Sequence, residues 1–150
     1  LIHELKYAQG FYVLQDIQVL IGKSAYWRAY FSDTILLPVP LHPTKLRQRG
    51  YNQSQKIANC IAQCFPRQTE VQTPLIRTTD TQTQTKLNRE QRRQNIKNAF
   101  AMRADTVLDP ELCYVLIDDV FTTGVTLNAC AAVLRTAGAK KIKTFTLGHG

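Results

Sequence analysis

Residues 114–126 read Tyr-Val-Leu-Ile-Asp-Asp-Val-Phe-Thr-Thr-Gly-Val-Thr, and this stretch decides the fold. Its first four residues are a continuous apolar run, which is typical of a parallel strand buried on both faces. Beyond the stretch, apolar residues recur at helical spacing at Leu127, Cys130, Ala131, Leu134 and Ala137. Gly138 then provides a helix stop. The pattern predicts a strand, a short loop and a helix in immediate succession.

The junction between this strand and this helix carries the groups expected of a sugar-phosphate site. Free backbone N–H groups and the positive end of the helix dipole meet in the loop 122–126. Its threonine hydroxyls add donors, and Gly124 lets a ligand approach the backbone closely. The carboxylates of Asp118 and Asp119 can accept hydrogen bonds from sugar hydroxyls or hold a hydrated Mg²⁺. The junction therefore predicts a phosphate on the loop and a polyol beside the acids. The alternative is a solvated acidic turn with a threonine helix cap.

Composition sets the broad class of the protein. The 150 residues suit a single domain over 1–150 with its own core, and no apolar run approaches the length of a membrane span. No secretory signal is visible, so we expect a cytoplasmic protein. The net charge of +8 favours anionic partners, and polyphosphates and nucleic acid both fit it. None of the four cysteines forms a C-x-x-C pair, although Cys60 and Cys64 lie one helical turn apart. This favours buried free thiols over a zinc site built from all four.

A second buried strand is predicted over 34–39, and it ends in the run Pro38-Val39-Pro40-Leu41-His42-Pro43. Three prolines in six residues stop the strand and fix the direction of the chain. A diphosphate needs several cations or backbone donors held together, and this segment offers a turn and a basic run. The residues concerned are Leu41, His42, Lys45, Arg47 and Arg49. A solvent-facing basic turn is the alternative, and His42 suits a structural hydrogen bond equally well.

The remaining segments complete an alternating pattern. Helical spacing covers 12–31, with Val13, Ile17, Leu20, Ile21 and Trp27 facing inward, and a further helix begins at Gln53. Short strands are predicted over 71–76, 99–102 and 141–147, the first confined to an edge or bulge by Pro74. Strands that alternate with helices predict a mostly parallel central sheet flanked by helices on both faces. The loops after Val39 and Asp119 would then meet over one crevice.

Residues 114–126 resemble the phosphoribosyl-pyrophosphate (PRPP) binding motif of type I phosphoribosyltransferases. Phe121 is the one mild departure, since an aliphatic residue is more usual there. The run from Pro38 to Gln53 narrows the resemblance to the ComF family, which is linked to competence for DNA uptake. Leu5-Lys6-Tyr7, Thr81-x-x-Gln84-x-x-Leu87 and Arg92-x-x-Asn95-x-x-x-Ala99-Phe100 also resemble that family. The resemblance covers nearly the whole chain.

The resemblance implies a role for each of these positions. Asp118 and Asp119 would be the catalytic pair that binds the ribose 2′- and 3′-hydroxyls, with Mg²⁺ held indirectly through PRPP. The 5′-phosphate would lie on Thr122, Thr123, Gly124, Val125 and Thr126, and the pyrophosphate on the basic segment after Pro40. The polar stretch 77–97 would be a flexible hood that closes over the sugar with Gln84, Arg89, Arg92, Arg93 and Asn95. Many family members carry a zinc ribbon ahead of this domain, and we expect that segment to be absent from this chain.

Three functions remain open at this stage. We rank a phosphoribosyltransferase first, a non-catalytic sensor of PRPP or nucleotides second, and a competence protein that contacts single-stranded DNA third. No base-binding pocket can be identified, because only Gly148, His149 and Gly150 follow Leu147. The acceptor is therefore not predicted, and the sequence leaves both a monomer and a homodimer open.

Overall fold

The computed structural model describes residues 11–79, 96 and 98–149. Helices α1 (Phe11–Lys23) and α2 (Ala25–Phe31) precede strand β1 (Thr34–Pro38), which is followed by α3 (Pro43–Arg49) and α4 (Gln53–Cys64). Next come the short strands β2 (Thr69–Val71), β3 (Leu75–Arg77) and β4 (Phe100–Met102). The chain continues with β5 (Cys113–Phe121), α5 (Val125–Thr136) and β6 (Lys141–His149). No helix among the described residues has the length and apolar character needed to cross a bilayer.

The central sheet has the strand order β2-β1-β5-β6, and every neighbouring pair in it is parallel. Its two inner strands bury side chains on both faces, as their continuous apolar runs predict. On one face, Leu37 and Leu116 pack with Leu134 of α5; on the other, Val115 and Ile117 pack with helices α1 and α4. The predicted fold class is confirmed.

The helical stretch predicted over 12–31 is two helices rather than one. Ser24 separates them, and its hydroxyl accepts the Trp27 N–H at 3.4 Å as the N-cap of α2. Ile17 and Ile21 are buried as predicted, but Leu20 is 71% exposed and the prediction for it is wrong. Leu20 lies about 100° around the helix from Ile21, outside the narrow stripe that faces α4.

The strand predicted over 71–76 is divided between two sheets. Gln72 donates the last bond to the central sheet, from its N to the Leu36 oxygen at 3.0 Å. Pro74 has no N–H to continue that ladder, so the chain leaves the edge there and β3 pairs instead with β4 in a two-stranded antiparallel sheet. The expected edge position is right for β2, but one continuous strand is wrong.

The two-stranded sheet holds the ends of the predicted hood side by side. Thr78 donates its N–H to the Ala99 oxygen at 2.8 Å, just beyond the paired strands. The predicted hood residues Gln84, Arg89, Arg92, Arg93 and Asn95 lie outside the described residues. Their role remains a prediction, while the position of the hood's two ends is fixed by β3 and β4.

All four cysteines are free thiols. Cys60 and Cys130 are buried, and the other two are half-buried. Burial raises the pKa of Cys60 to about 11 and that of Cys130 to about 12. Both buried thiols are therefore protonated near neutral pH and act as small apolar groups in the core.

Candidate functional site

Strands β1 and β5 bring the two predicted loops to the same edge of the sheet. They are parallel neighbours in the register Pro38 opposite Ile117, so their carboxyl ends lie side by side. The pairing continues one step further, because Val39 donates its N–H to the Ile117 oxygen at 2.9 Å. The chain around Asp118 therefore emerges directly beside the segment predicted to meet the pyrophosphate. This juxtaposition follows from the parallel pairing of β1 and β5 alone.

Asp118 is a half-buried carboxylate with two donors on one oxygen. The Ser54 hydroxyl donates to its Oδ1 at 3.0 Å, and the backbone N–H of Asp119 donates to the same atom at 2.9 Å. Burial, followed by the nearby charge of Asp119, raises the pKa of Asp118 from 3.8 to about 6. A hydrogen bond between the Asp118 and Asp119 side chains adds to the rise in this pKa, so the two acids interact directly at the junction.

The raised pKa of Asp118 predicts a pH-dependent stability cost. Because the native pKa lies above the unfolded one, the native state binds more protons between about pH 4 and pH 6, and stability falls as the pH rises through that window. Asp118→Asn removes the ionisable group, so it should be as stable as the wild type near pH 4 and up to about 3 kcal/mol more stable near pH 8. Urea unfolding across this range measures the difference. If the free energies of unfolding of the two proteins changed with pH in the same way, the raised pKa of Asp118 would be contradicted.

The loop after Phe121 leads directly into the first turn of α5. Gly124 is the N-cap of α5 and has a left-handed backbone with φ of 71°. A glycine cap has no side chain to occupy the N–H groups of the first turn, so those donors can face an anion. The Thr122 and Thr123 side chains are exposed, and Val125 and Thr126 begin the helix. The structure thus brings all five predicted loop residues to one junction.

The cleft at this junction is small. It has a volume of about 20 Å³, room for about one water molecule. The Phe121 ring narrows it, because a β-carbon placed on Gly124 would lie 3.0 Å from the ring's Cε2. A phosphate seated in the cleft therefore requires the Phe121 ring to move away from the loop. Cleft-lining residues are Asp118, Val120, Phe121, Thr122, Gly124, Thr126 and Leu127.

His149 is a neighbour of this site that sequence reasoning missed. Strand β6 extends to His149, beyond the predicted end at Leu147, and pairs it with Phe121 of β5. The two rings stack with their centroids 5.5 Å apart and an interplanar angle of 30°. The chain after Leu147 thus contributes an aromatic wall beside the loop. Only the register of β5 against β6 reveals this contact, because 28 residues separate the two rings in sequence.

The predicted pyrophosphate segment forms a short helix rather than an open turn. His42 is the N-cap of α3, and its Nδ1 accepts the Thr44 N–H at 3.3 Å, so this side chain has a structural role. Lys45 and Arg49 are four residues apart and share one helix face, whereas Arg47 lies about 160° away from them. The helix therefore brings two of the three predicted cations together. Leu41 lies half-buried at its entrance.

Asn52 joins this segment to the rest of the site. It is the N-cap of α4, and its side-chain oxygen accepts the Ser54 N–H at 3.0 Å. Its Nδ2 donates to the Val39 oxygen at 2.9 Å. Ser54 in turn reaches Asp118, so hydrogen bonds connect the end of β1 to the carboxylate at the end of β5.

A groove of about 520 Å³ opens on the other side of the pyrophosphate segment. Prolines and Tyr51 form much of its wall, and the cationic side chains of Lys56, Arg77 and Arg103 line it as well. Arg103 is anchored there by its Nε, which donates to the Thr73 oxygen at 2.7 Å. The groove combines an aromatic ring with positive charge, a combination that suits nucleotides and single-stranded nucleic acid.

The acidic pair fits the metal that the sequence predicts. No group of three or more histidine, cysteine or acidic side chains gathers as a ligand cluster within 11–79, 96 and 98–149. Mg²⁺ commonly takes only one or two protein carboxylates and fills its other positions with water and substrate phosphates. Asp118 and Asp119 are two such carboxylates. Binding of Mg²⁺ together with a phosphorylated ligand remains a prediction.

Curated relatives match most of this chain. Competence protein F of Haemophilus influenzae is 36% identical over 116 residues, which are 76% of this chain and 49% of that protein. Competence protein ComFC of Bacillus subtilis is 31% identical over 75% of this chain and 43% of its own length. The DNA utilization protein YhgH of Salmonella typhimurium is 30% identical over 98% of this chain and 65% of its own length. The chain spans about half the length of most curated relatives it matches.

Two solved structures with a similar fold are phosphoribosyltransferases. A hypoxanthine phosphoribosyltransferase from Staphylococcus aureus superimposes with a TM-score of 0.56, at 11% identity, over 91% of this chain and 64% of that one. A purine phosphoribosyltransferase from Pyrococcus horikoshii gives 0.51 at 14% identity, over 93% of this chain and 74% of that one. No protein-family model matches the chain. At these identities the structural similarity is evidence of a shared fold only.

Proposed function

Because this chain is a ComF-family domain built on the type I phosphoribosyltransferase fold, we propose that it binds PRPP with Mg²⁺ and transfers or releases the phosphoribosyl group. The observation that carries the proposal is the single strand–loop–helix unit from β5 to α5. It presents two carboxylates and a glycine-capped helix start at the same sheet edge as the end of β1. By analogy with its relatives, we place this activity in competence or DNA utilisation, in the cytoplasm.

The proposed ligand spans the two loops. The 5′-phosphate lies on 122–126, where the amides of the first helical turn donate to it. The ribose hydroxyls face Asp118 and Asp119, whose oxygens are acceptors when ionised. The diphosphate lies towards Lys45 and Arg49, whose shared helix face provides positive charge. The Phe121 ring moves aside to admit the phosphate.

The chain's contribution to the reaction is positioning and charge. Bound Mg²⁺ would neutralise charge on the departing pyrophosphate. The two acids hold the sugar while the bond at its C1′ breaks, and they stabilise the positive charge that develops on the ring. The basic segment stabilises the leaving diphosphate. The new bond to C1′ comes from the acceptor, a nitrogenous base or amine for transfer or water for release, and the pyrophosphate leaves with the electron pair of the broken bond. No side-chain nucleophile is needed, so none of the free thiols has a part in this step.

The first test is binding of PRPP. We expect isothermal titration calorimetry with Mg²⁺ to give a saturable heat, and thermal unfolding to shift upward by an amount set by the ratio of ligand concentration to Kd. Ribose 5-phosphate should bind more weakly, because it lacks the diphosphate. Absence of heat and of thermal stabilisation at about millimolar PRPP would refute both the transferase and the sensor. Pyrophosphate release with a panel of bases and amines then separates those two.

A second candidate, binding of single-stranded DNA, is favoured by the groove beside α3. Its wall places Tyr51 near Lys56, Arg77 and Arg103, and bases stack on aromatic rings while cations follow the phosphates. The discriminating measurement is oligonucleotide binding by wild type and by Tyr51→Ala across a salt series. Affinity that depends on salt but not on Tyr51 would show only attraction between charges and would remove this candidate.

A further inference from the structure

We propose that Ser54 is a positioning residue for Asp118, and that Asn52 links this carboxylate to the end of β1, directly before the pyrophosphate segment, so that both halves of the ligand meet one rigid unit. The proposal rests on the proposed function for the identity of the ligand. The contacts that carry it belong to the chain itself and exist without any ligand.

The hydrogen bonds at the Asp118 oxygens determine how this carboxylate is oriented. Each carboxylate oxygen offers about two acceptor positions. Both positions of Oδ1 are taken, one by the Ser54 hydroxyl at 3.0 Å and one by the Asp119 N–H at 2.9 Å. Rotation of the carboxylate would break both bonds. Oδ1 is therefore held in place by Ser54 and the Asp119 backbone, and the remaining acceptor positions of the carboxylate serve the Asp119 side chain, which shares a hydrogen bond with Asp118, and a sugar hydroxyl.

Ser54 is itself held in place by its surroundings. Its residue is only 4% exposed, on the first turn of α4. The Ser54 N–H donates to Asn52 Oδ1, and Asn52 Nδ2 donates to the Val39 oxygen. A buried hydroxyl with a backbone anchor has few alternative rotamers, so its hydrogen bond costs little further entropy. The connection from Val39 to Asp118 therefore behaves as one unit.

Ser54→Ala tests the positioning role directly. We expect it to weaken binding of ribose 5-phosphate and PRPP by roughly tenfold, the equivalent of one charge-assisted hydrogen bond, and to leave inorganic phosphate within about twofold. Ser54→Cys keeps the volume with a weak donor and should behave like alanine, whereas Ser54→Thr keeps the hydroxyl and should restore affinity. Ser32→Ala is the matched control, because the Ser32 hydroxyl also donates to an aspartate, Asp33 Oδ2, at 3.0 Å.

A substitution of Asn52 tests the link to the pyrophosphate segment. Asn52→Ser keeps an oxygen that caps α4 but is too short to reach the Val39 carbonyl. We expect it to weaken PRPP binding several-fold more than ribose 5-phosphate binding, because only PRPP extends to that segment. Equal losses for the two ligands would overturn the link.

A measurement without ligand separates this inference from the proposed function. The Asp119 amide proton donates to Asp118 Oδ1, so its NMR resonance should shift in Ser54→Ala and return in Ser54→Thr. An unchanged resonance would overturn the positioning role, as would equal loss of phosphate and ribose 5-phosphate binding. If the wild type binds neither sugar phosphate, the proposed function fails, and the Asp119 resonance still decides whether Ser54 orients the carboxylate.

Discussion

Asparagine in place of Asp119 should weaken PRPP binding by roughly ten- to a hundredfold. The substitution keeps the shape of the side chain but removes its charge and replaces one acceptor oxygen with a donor. It therefore weakens both the hold on the ribose hydroxyls and the attraction for Mg²⁺. One oxygen of Asp118 already accepts a hydrogen bond from Ser54. Substitution of Asp119 is therefore the more direct test of the ribose role. Calorimetry with PRPP and Mg²⁺ measures the change.

A matched control for this variant lies on α1. Asp16→Asn makes the same chemical change at an exposed position outside the site, and it should leave PRPP affinity unchanged. If Asp119→Asn also bound PRPP with wild-type affinity, the role assigned to the acidic pair would be disproved. If the two variants weakened binding equally, the loss at Asp119 would not come from contact with the ligand.

Alanine at Gly124 should abolish the phosphate site and cost stability at the same time. Its φ of 71° is strained for any residue with a β-carbon, a cost of about 1–2 kcal/mol. The new atom would also meet the Phe121 ring at 3.0 Å, and it would stand between the helix start and a phosphate. We expect binding of both inorganic phosphate and PRPP to fall by more than about tenfold.

Gly138→Ala separates the two effects. Gly138 has φ of 104°, and a β-carbon there would meet no atom of the described residues within 4 Å. The control therefore carries backbone strain alone, after α5 rather than before it. It should lower the Tm by a comparable amount and leave ligand affinity intact. Equal loss of affinity in both variants would show that the loop acts only through stability.

Local pattern was enough to predict the strand, loop and helix around Asp118. The continuous apolar run predicts a buried strand, and the acids and glycine after it predict a loop before a helix. The structure has this strand and this helix as β5 and α5. The same reasoning was less successful where pairing decides the outcome. Strand β5 continues to Phe121 because β6 continues to His149 beside it, and neither extension is visible from the local sequence.

The interior of the candidate site was the least predictable part. Ser54 and Asp118 are 64 residues apart, and no spacing rule links a serine on one helix to an acid on a distant strand. Asn52 is the helix cap of α4, and Ser54 lies in its first turn. The second function of each side chain depends on the packing of α4 against the sheet, which only the folded chain specifies.

The edges of the central sheet have a consequence for self-association. At one edge, β2 has only three residues. At the other, α2 lies against β6, where the Tyr30 hydroxyl donates to the Thr144 oxygen at 2.8 Å and the Lys143 ammonium donates to the Tyr30 oxygen at 2.9 Å. A strand from a second molecule would have to displace Tyr30 and accommodate a lysine there. Growth of the sheet by edge-to-edge addition is therefore disfavoured, and any homodimer is expected to form through helices or loops instead.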